Sequence, residues 1–210
     1  MPCPATFALP APIQDDFHGL APARWRVETE RPAQSRVATE QGRLIMDTAA
    51  GMTVWLNQPL GGAYRIEFLR QVLVAGQPND RPSDMNVFWG AHEPGLAALL
   101  PRDGALASYD SMVCWYVGMG GNGNSTTRFR YYDGSGARQM LGETLGPAHL
   151  LEPGRIYRIA IEVSATHTAY WVDGVRVFEQ PLAGLPRPGY FGWRSVWSRQ
   201  AISRFSVQAL

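Results

Sequence analysis

A chain of 210 residues, 45% apolar and 18% charged, can bury a core large enough to offset its conformational entropy, so disorder is excluded and one domain is expected. Its 19 basic and 18 acidic residues leave a formal net charge of +1, and no basic run tracks a phosphate backbone, which argues against a nucleic-acid partner. No apolar run reaches the ~20 residues that span a bilayer, and Met1-Pro2-Cys3-Pro4 lacks the n- and h-regions of a signal peptide. No membrane partner is therefore expected, and the compartment is either the cell interior or one reached with a leader already trimmed.

In chain order, the Pro-rich start through Pro12 reads as an arm and residues 13–210 as a single domain, with no internal repeat or linker. Asp15 and Asp16 offer two carboxylates to a hard cation, so a structural Ca²⁺ is considered there and no other cofactor is expected. Strands are predicted at Trp25–Thr29, Leu44–Thr48 and Thr53–Leu56, each bounded by turn-forming residues, and Tyr64–Phe68 alternates with the period of a half-buried strand. The stretch Asn79–Asn86 gathers carboxylates and amides around an Arg and a Pro, then leads into the strand Asn86–Trp89. Asp84 and Asn86 share a face if the strand begins there, so both can bond sugar hydroxyls beside Asp80, while Trp89 offers a ring for a pyranose. Turn capping is the plainer use of such residues, and Asn79 is assigned to it. His92 is a candidate general base or acid. Leu96–Leu100 is at most one turn of helix, because Pro101 follows it at once.

Met112–Val117 is the next predicted strand, with Cys114 as a small buried hydrophobe. Cys3 sits in an unlike setting, so no disulfide is suggested, and four scattered histidines give zinc no support. Gly118-Met119-Gly120-Gly121-Asn122-Gly123 formally matches the dinucleotide Gly-x-Gly-x-x-Gly, but that fingerprint opens a helix, and the β-branched and aromatic Ser125–Tyr132 reads as a strand. A Gly-rich β-turn is the better reading, with Asn122 a candidate ligand contact. In Thr127–Tyr132, alternation puts Thr126, Arg128 and Arg130 on one face and Thr127, Phe129 and Tyr131 on the other. Two guanidinium groups in line suit a uronate carboxylate, and equally an ion pair to neighbours such as Asp84 or Glu67.

Tyr157–Val163 alternates again, and Thr168–Val172 and Val175–Phe178 flank Asp173-Gly174, a pair that accepts the positive φ angles of a type I′ hairpin. Tyr190–Trp193 and Ile202–Val207 close the chain. Tyr116, Trp193 and Trp197 are candidates to face solvent as sugar platforms, although an aromatic in a sandwich more often fills the core. About a dozen strands at this spacing predict an all-β jelly-roll sandwich of two antiparallel sheets.

Three ordered stretches, Asn79–Trp89, Trp115–Asn122 with Thr126–Arg130, and Gly189–Arg194, together resemble the YesU-like family of bacterial proteins, and the likeness runs from Asp15 to the closing strand. The resemblance implies a concanavalin A-like jelly roll, commonly encoded beside enzymes that degrade pectic and other acidic plant polysaccharides. It also implies a Ser-His pair where this chain has Ser198-Arg199, which leaves the role of that histidine without a carrier.

The expected function is action on a uronate-containing plant or bacterial poly- or oligosaccharide. In β-elimination, Arg128, Arg130 or Asn86 neutralises the carboxylate while Tyr116 or His92 serves as base or acid. Hydrolysis would draw two carboxylates from Asp80, Asp84 and Glu93. The alternative class is a non-catalytic, lectin-like binding module, and the Glu-x-Asp-x-x-Glu strand of jelly-roll hydrolases is absent. A lone-domain chain tilts the expectation toward an enzyme, though fold by itself does not decide it.

Overall fold

The computed structural model describes residues 11–210, so Cys3 and all of the expected arm except Ala11 and Pro12 lie outside the described residues. The first strands are β1 (Ile13–Asp15), β2 (Trp25–Thr29), β3 (Arg36–Glu40), β4 (Arg43–Leu56), β5 (Tyr64–Val72) and β6 (Met85–His92). They are followed by β7 (Val113–Gly120), β8 (Thr126–Asp133), β9 (Arg138–Thr144), β10 (Ile156–Val163), β11 (His167–Val172), β12 (Val175–Pro181) and β13 (Tyr190–Ala209).

Neighbouring strands follow the order β12-β11-β10-β5-β13-β6-β7-β8-β9, a single ribbon that folds on itself along β13. The first half of β13 lies between β6 and the end of β4, whereas its second half pairs with the start of β4 and with β5. The fold line is at Trp197, whose φ is 45° and where the register against β4 slips between Val196 and Ser198. One layer therefore holds β2, the end of β4, the start of β13 and β6 to β9. The other holds β1, β3, the start of β4, the end of β13, β5 and β10 to β12. This is the all-β jelly-roll sandwich that the alternation predicts.

Period-two side chains fill the space between the layers. In β5, Tyr64, Ile66, Phe68, Arg70 and Val72 point inward while the intervening residues are half-buried. Rings meet across the layers at Trp89 and Tyr170, Phe129 and Phe178, and Phe68 and Trp193, with centroids 6.5, 5.6 and 5.6 Å apart. Complete burial of each such side chain contributes about 1.5–3 kcal/mol. The Asp173-Gly174 hairpin forms as expected, with φ of 51° and 83° at its two central residues.

Two local expectations are corrected. The pairs of strands predicted within β4 and within β13 are each one long bent strand, because the bulge of Ala49 and Ala50 opposite Trp197 bends the backbone without ending it. Leu96–Leu100 forms no helix, within the expectation of at most one turn there, and a short 3₁₀ turn forms at Leu106–Tyr109. Strands β3 and β9 were not anticipated, since RVATE and RQMLGET lie at sheet edges and carry no apolar alternation.

Where β13 exchanges β6 for β5 as its neighbour, carbonyls are left without a ladder partner, and buried carbonyls need one. Arg70 supplies it. Its Nη1 donates to Asn86 O at 2.7 Å, its Nη2 to Arg194 O at 2.8 Å and its Nε to Gln200 Oε1 at 2.7 Å. Burial pulls the Arg70 pKa down to about 9, which still leaves a cation at neutral pH. Gln200 Nε2 in turn donates to Asp84 O at 3.1 Å and lies 2.8 Å from Ser195 Oγ. Arg70→Met is expected to cost about 3–5 kcal/mol in urea unfolding at pH 7, because three buried acceptors lose a charged donor. Gln200→Met added to it should cost less than Gln200→Met alone, as members of one network do.

Candidate functional site

Residues directly opposite on paired antiparallel strands share a face, so the registers build rows across the outward side of the β2–β9 layer. One row runs Thr53, Arg194, Asn86, Gly118, Arg128, Glu143, and the next runs Trp55, Gly192, Phe88, Tyr116, Arg130, Met140. Gly118 is a gap in the first row. A Cβ there would lie 3.1 Å from Tyr116 Oη and 3.3 Å from Asn86 Oδ1, so these two polar atoms look into the vacancy. It opens into a cavity of 100 Å³ walled by Asp84, Leu106, Tyr116, Asn122, Arg128 and Arg130.

Asn86 is 1% exposed, and its Oδ1 has no hydrogen-bond partner. Its Nδ2 faces Asp84 Oδ1 at 3.5 Å, so the acceptor oxygen is the atom that borders the gap at Gly118. Buried acceptors without partners are uncommon and each calls for an explanation. Asp84 precedes β6 with φ of 65°, a left-handed backbone that Asp tolerates better than most residues. It is held there by N–H donation to Gly120 O at 3.3 Å and by an ion pair with Arg81. Arg81 also donates to Val196 O at 2.7 Å and Trp197 O at 2.9 Å, which ties this wall of the cavity to the fold line of β13.

The turn between β7 and β8 explains the glycine-rich run. Gly120, Asn122, Gly123 and Asn124 all have φ between 52° and 70°, so no helix N-terminus is offered to a pyrophosphate. Asn124 fixes the turn by exchanging hydrogen bonds with the Leu151 backbone at 2.8 and 2.7 Å. Of the two arginines on the next strand, Arg128 pairs with Glu143 across β9. Arg130 lies 5.9 Å from the Tyr116 ring centroid and makes no ion pair among the described residues. Tyr116 is 4% exposed, and burial pushes its phenol well above the ordinary value, so the hydroxyl keeps its proton at neutral pH.

Asp84, Asn86, Tyr116, Asn122, Arg128 and Arg130 thus gather at one place, and the other candidates do not. Trp89 and Trp193 are corrected to core residues. Trp89 is sealed between the layers with its Nε1 donating to Thr168 Oγ1 at 2.8 Å, and Trp193 is enclosed by Trp25, Phe68 and Phe205. Neither ring can meet a sugar.

His92 closes β6 at the end opposite Asp84, roughly 25 Å away along the strand, so it is corrected as a partner in this site. It lines a separate 490 Å³ cavity with Trp115, Tyr131 and the 182–187 loop. Burial, and then Arg187, lower its pKa. Asp80 is likewise committed elsewhere, accepting from Arg199 and from the N–H groups of Ala75 and Gln77. Arg199, at the position where the resemblance implies histidine, serves as that clamp. Trp197 is 51% exposed, with the Arg81 guanidinium 5.2 Å from its ring centroid, and it is no wall of the cavity. Asp15 accepts from Trp25 Nε1 at 2.8 Å and Phe17 N at 2.9 Å. No group of three or more His, Cys, Asp or Glu suited to a metal gathers among the described residues.

Sequence reasoning missed Gly118 as the floor, Leu106 as a wall and Glu143 as the partner of Arg128. Only the Gly-rich composition near Gly118 carried any local signal of a close approach.

These layers and registers define a concanavalin-like, galectin-like jelly roll. A Bacillus subtilis protein of unknown function with a galectin-like fold superposes with a TM-score of 0.68 at 13% identity, covering 93% of this chain and 98% of that one. The carbohydrate binding module CBM66 from Bacillus subtilis gives 0.60 at 10%, over 89% and 96%. LamA from Z. galactanivorans, in complex with laminaritriose and laminaritetraose, gives 0.64 at 12%, over 95% and 99%. Likeness at such identities is one of fold. Residues 46–205 match DUF6250, described as a domain of unknown function, and the chain belongs to that family. No curated protein matches the sequence.

Burial raises the Asp80 pKa, but Arg199 and the two backbone N–H groups outweigh it and hold the carboxyl at about 2, below its ordinary 3.8. The stability this confers is complete above about pH 4 and is lost as pH falls toward 2. Asp80→Asn should therefore lower stability at pH 7 by about 2 kcal/mol and flatten the loss between pH 4 and 2, both read from urea midpoints.

Proposed function

We propose that the chain recognises an acidic saccharide in the cavity above Gly118. The observation that carries this reading is Asn86 Oδ1, a buried acceptor left without a partner that borders the missing side chain of Gly118 in the cavity floor, beside an arginine with no ion pair among the described residues. A ligand hydroxyl would donate to Asn86 Oδ1, Tyr116 Oη would donate to a ring or carboxylate oxygen, and Arg130 would hold the carboxylate, with Arg128 beside it. Two fold relatives, a carbohydrate binding module and LamA in complex with laminaritriose and laminaritetraose, support a sugar ligand. The pectic setting of the YesU-like proteins that the sequence resembles makes uronates the class to test first.

Binding without turnover is the better supported of the two modes. Elimination needs a base, yet Tyr116 retains its proton and His92 lies at the far end of β6. Hydrolysis needs two available carboxylates, yet Asp84 is paired with Arg81, Asp80 with Arg199, and Glu93 with Arg102 at 2.6 Å.

Titration calorimetry with galacturonate and glucuronate oligomers should detect binding to the native chain. Arg130→Ala should weaken it at least tenfold, since a hydrogen bond to a charged group contributes about 1.5–3 kcal/mol. Gly118→Ala should abolish it by filling the gap, and the melting temperature of Arg130→Ala should be little changed. No ultraviolet absorbance of an unsaturated uronate should develop. Its appearance would replace binding by elimination, and silence across the whole panel would end the saccharide reading.

A further inference from the structure

We propose, resting on the saccharide reading above, that the Gly118 cavity takes the terminal residue of a saccharide chain and rejects internal stretches. An outward sheet face running from β2 to β9 would by itself be a long trough, open at both ends. Here the segment between β6 and β7 lies across it. Leu99, Tyr109 and Met112 from that segment join Trp55, Phe88, Cys114 and Tyr132 in a second apolar cluster on this face, with Tyr109 5.2 Å from Phe88 and 6.1 Å from Trp55 between ring centroids.

The segment rests directly on the sheet backbone, leaving no layer for a sugar ring. A Cβ at Gly51 would fall 2.1 Å from Gly104 O, and one at Gly104 would fall 2.6 Å from Glu30 N. Polar anchors hold it down. Buried Glu28 accepts from Trp55 Nε1 and Tyr109 Oη at 2.8 Å and from Arg102 N at 3.1 Å. Arg194 Nη1 donates to Gly104 O at 2.8 Å, and Arg26 Nη1 to Leu99 O at 3.3 Å. Apolar burial, interlocked backbone and buried hydrogen bonds make this segment a fixed part of the fold.

Leu106 stands at the boundary, as the wall of the cavity contributed by the covering segment. Beyond it, toward β13 and β4, the face is closed; on the β8 and β9 side, Asn122 is exposed and Arg128 and Arg130 are partly so. The 100 Å³ space holds the equivalent of roughly three waters at ~30 Å³ each, enough for the substituted edge of one pyranose. A chain can enter from the β9 side and has no exit beneath Leu106, so its last residue is the one that reaches Asn86 and Tyr116.

The test uses the full chain with galacturonate and glucuronate oligomers of increasing length and with the corresponding long polymers. Affinity should level off after the second residue, further residues changing Kd by less than about threefold. In competition against a labelled dimer, a long polymer should compete in proportion to its number of chains, and partial digestion at constant mass should raise its potency in step with the ends created. Competition that follows the mass of polymer regardless of end number would overturn end recognition while leaving acidic-saccharide binding intact. Failure of every monomer, oligomer and polymer to bind would overturn both together.

Discussion

A strand that belongs to two layers must abandon some of its hydrogen-bond partners where it passes between them, and β13 does so in the dry interior. Arg70 and Gln200 make that passage tolerable. A lysine there would offer a point charge, whereas the planar guanidinium reaches Asn86 O, Arg194 O and Gln200 Oε1 in three fixed directions. The cost of burying that cation shows in its depressed pKa. Its return is that β5, β6 and both halves of β13 are fastened at one point.

The candidate site inherits its geometry from that point. Asn86 is gripped by its backbone carbonyl from inside the sandwich, which leaves its side chain on the outward face with the oxygen unpaired. Asp84 is fixed through its carbonyl by Gln200 and through its carboxylate by Arg81, which also holds the two carbonyls at the bend. The left-handed backbone at Asp84, which Asp tolerates, sets this residue in the wall of the cavity. Arginine supplies all 19 basic residues of the chain, and most of those in the β6–β9 region are neutralised by a cross-strand or loop carboxylate. Arg130 is set apart by lacking one, while Arg128 shares its face and is answered by Glu143.

Much of this was legible in the chain itself. The alternation at Tyr157–Val163, the Asp-Gly hairpin and the strand after the glycine run all follow from neighbours along the chain. The facing of Arg128 and Arg130 away from Phe129 is also a local fact, because Cβ direction alternates. Long strands read as pairs because Gly51 and the Val196–Ser198 bulge resemble breaks when no partner is visible. The edge strands β3 and β9 were silent because each buries too little to impose a pattern. Trp89 and Trp193 show the same limit in a different form: each sits in an apolar strand with large residues on both faces, since the outward face is itself covered, so alternation could not say which face was wet.

What the sequence determined was a set of antiparallel strands, their turns, the sandwich class and the sidedness of each short element, since these depend on φ, ψ and side-chain period within a few residues. What only the tertiary structure decided was register. Asn86, Gly118 and Arg128 come from three strands, and nothing within any one of them states which residues of the others lie opposite. Pairing is chosen by burying the inner rows and by satisfying the backbone at the fold line, and that choice alone puts a missing side chain between an unpaired amide and an arginine pair. The covering segment makes the same point, because its length and apolar residues are visible in the sequence, while the face it closes exists only once the sheet is assembled.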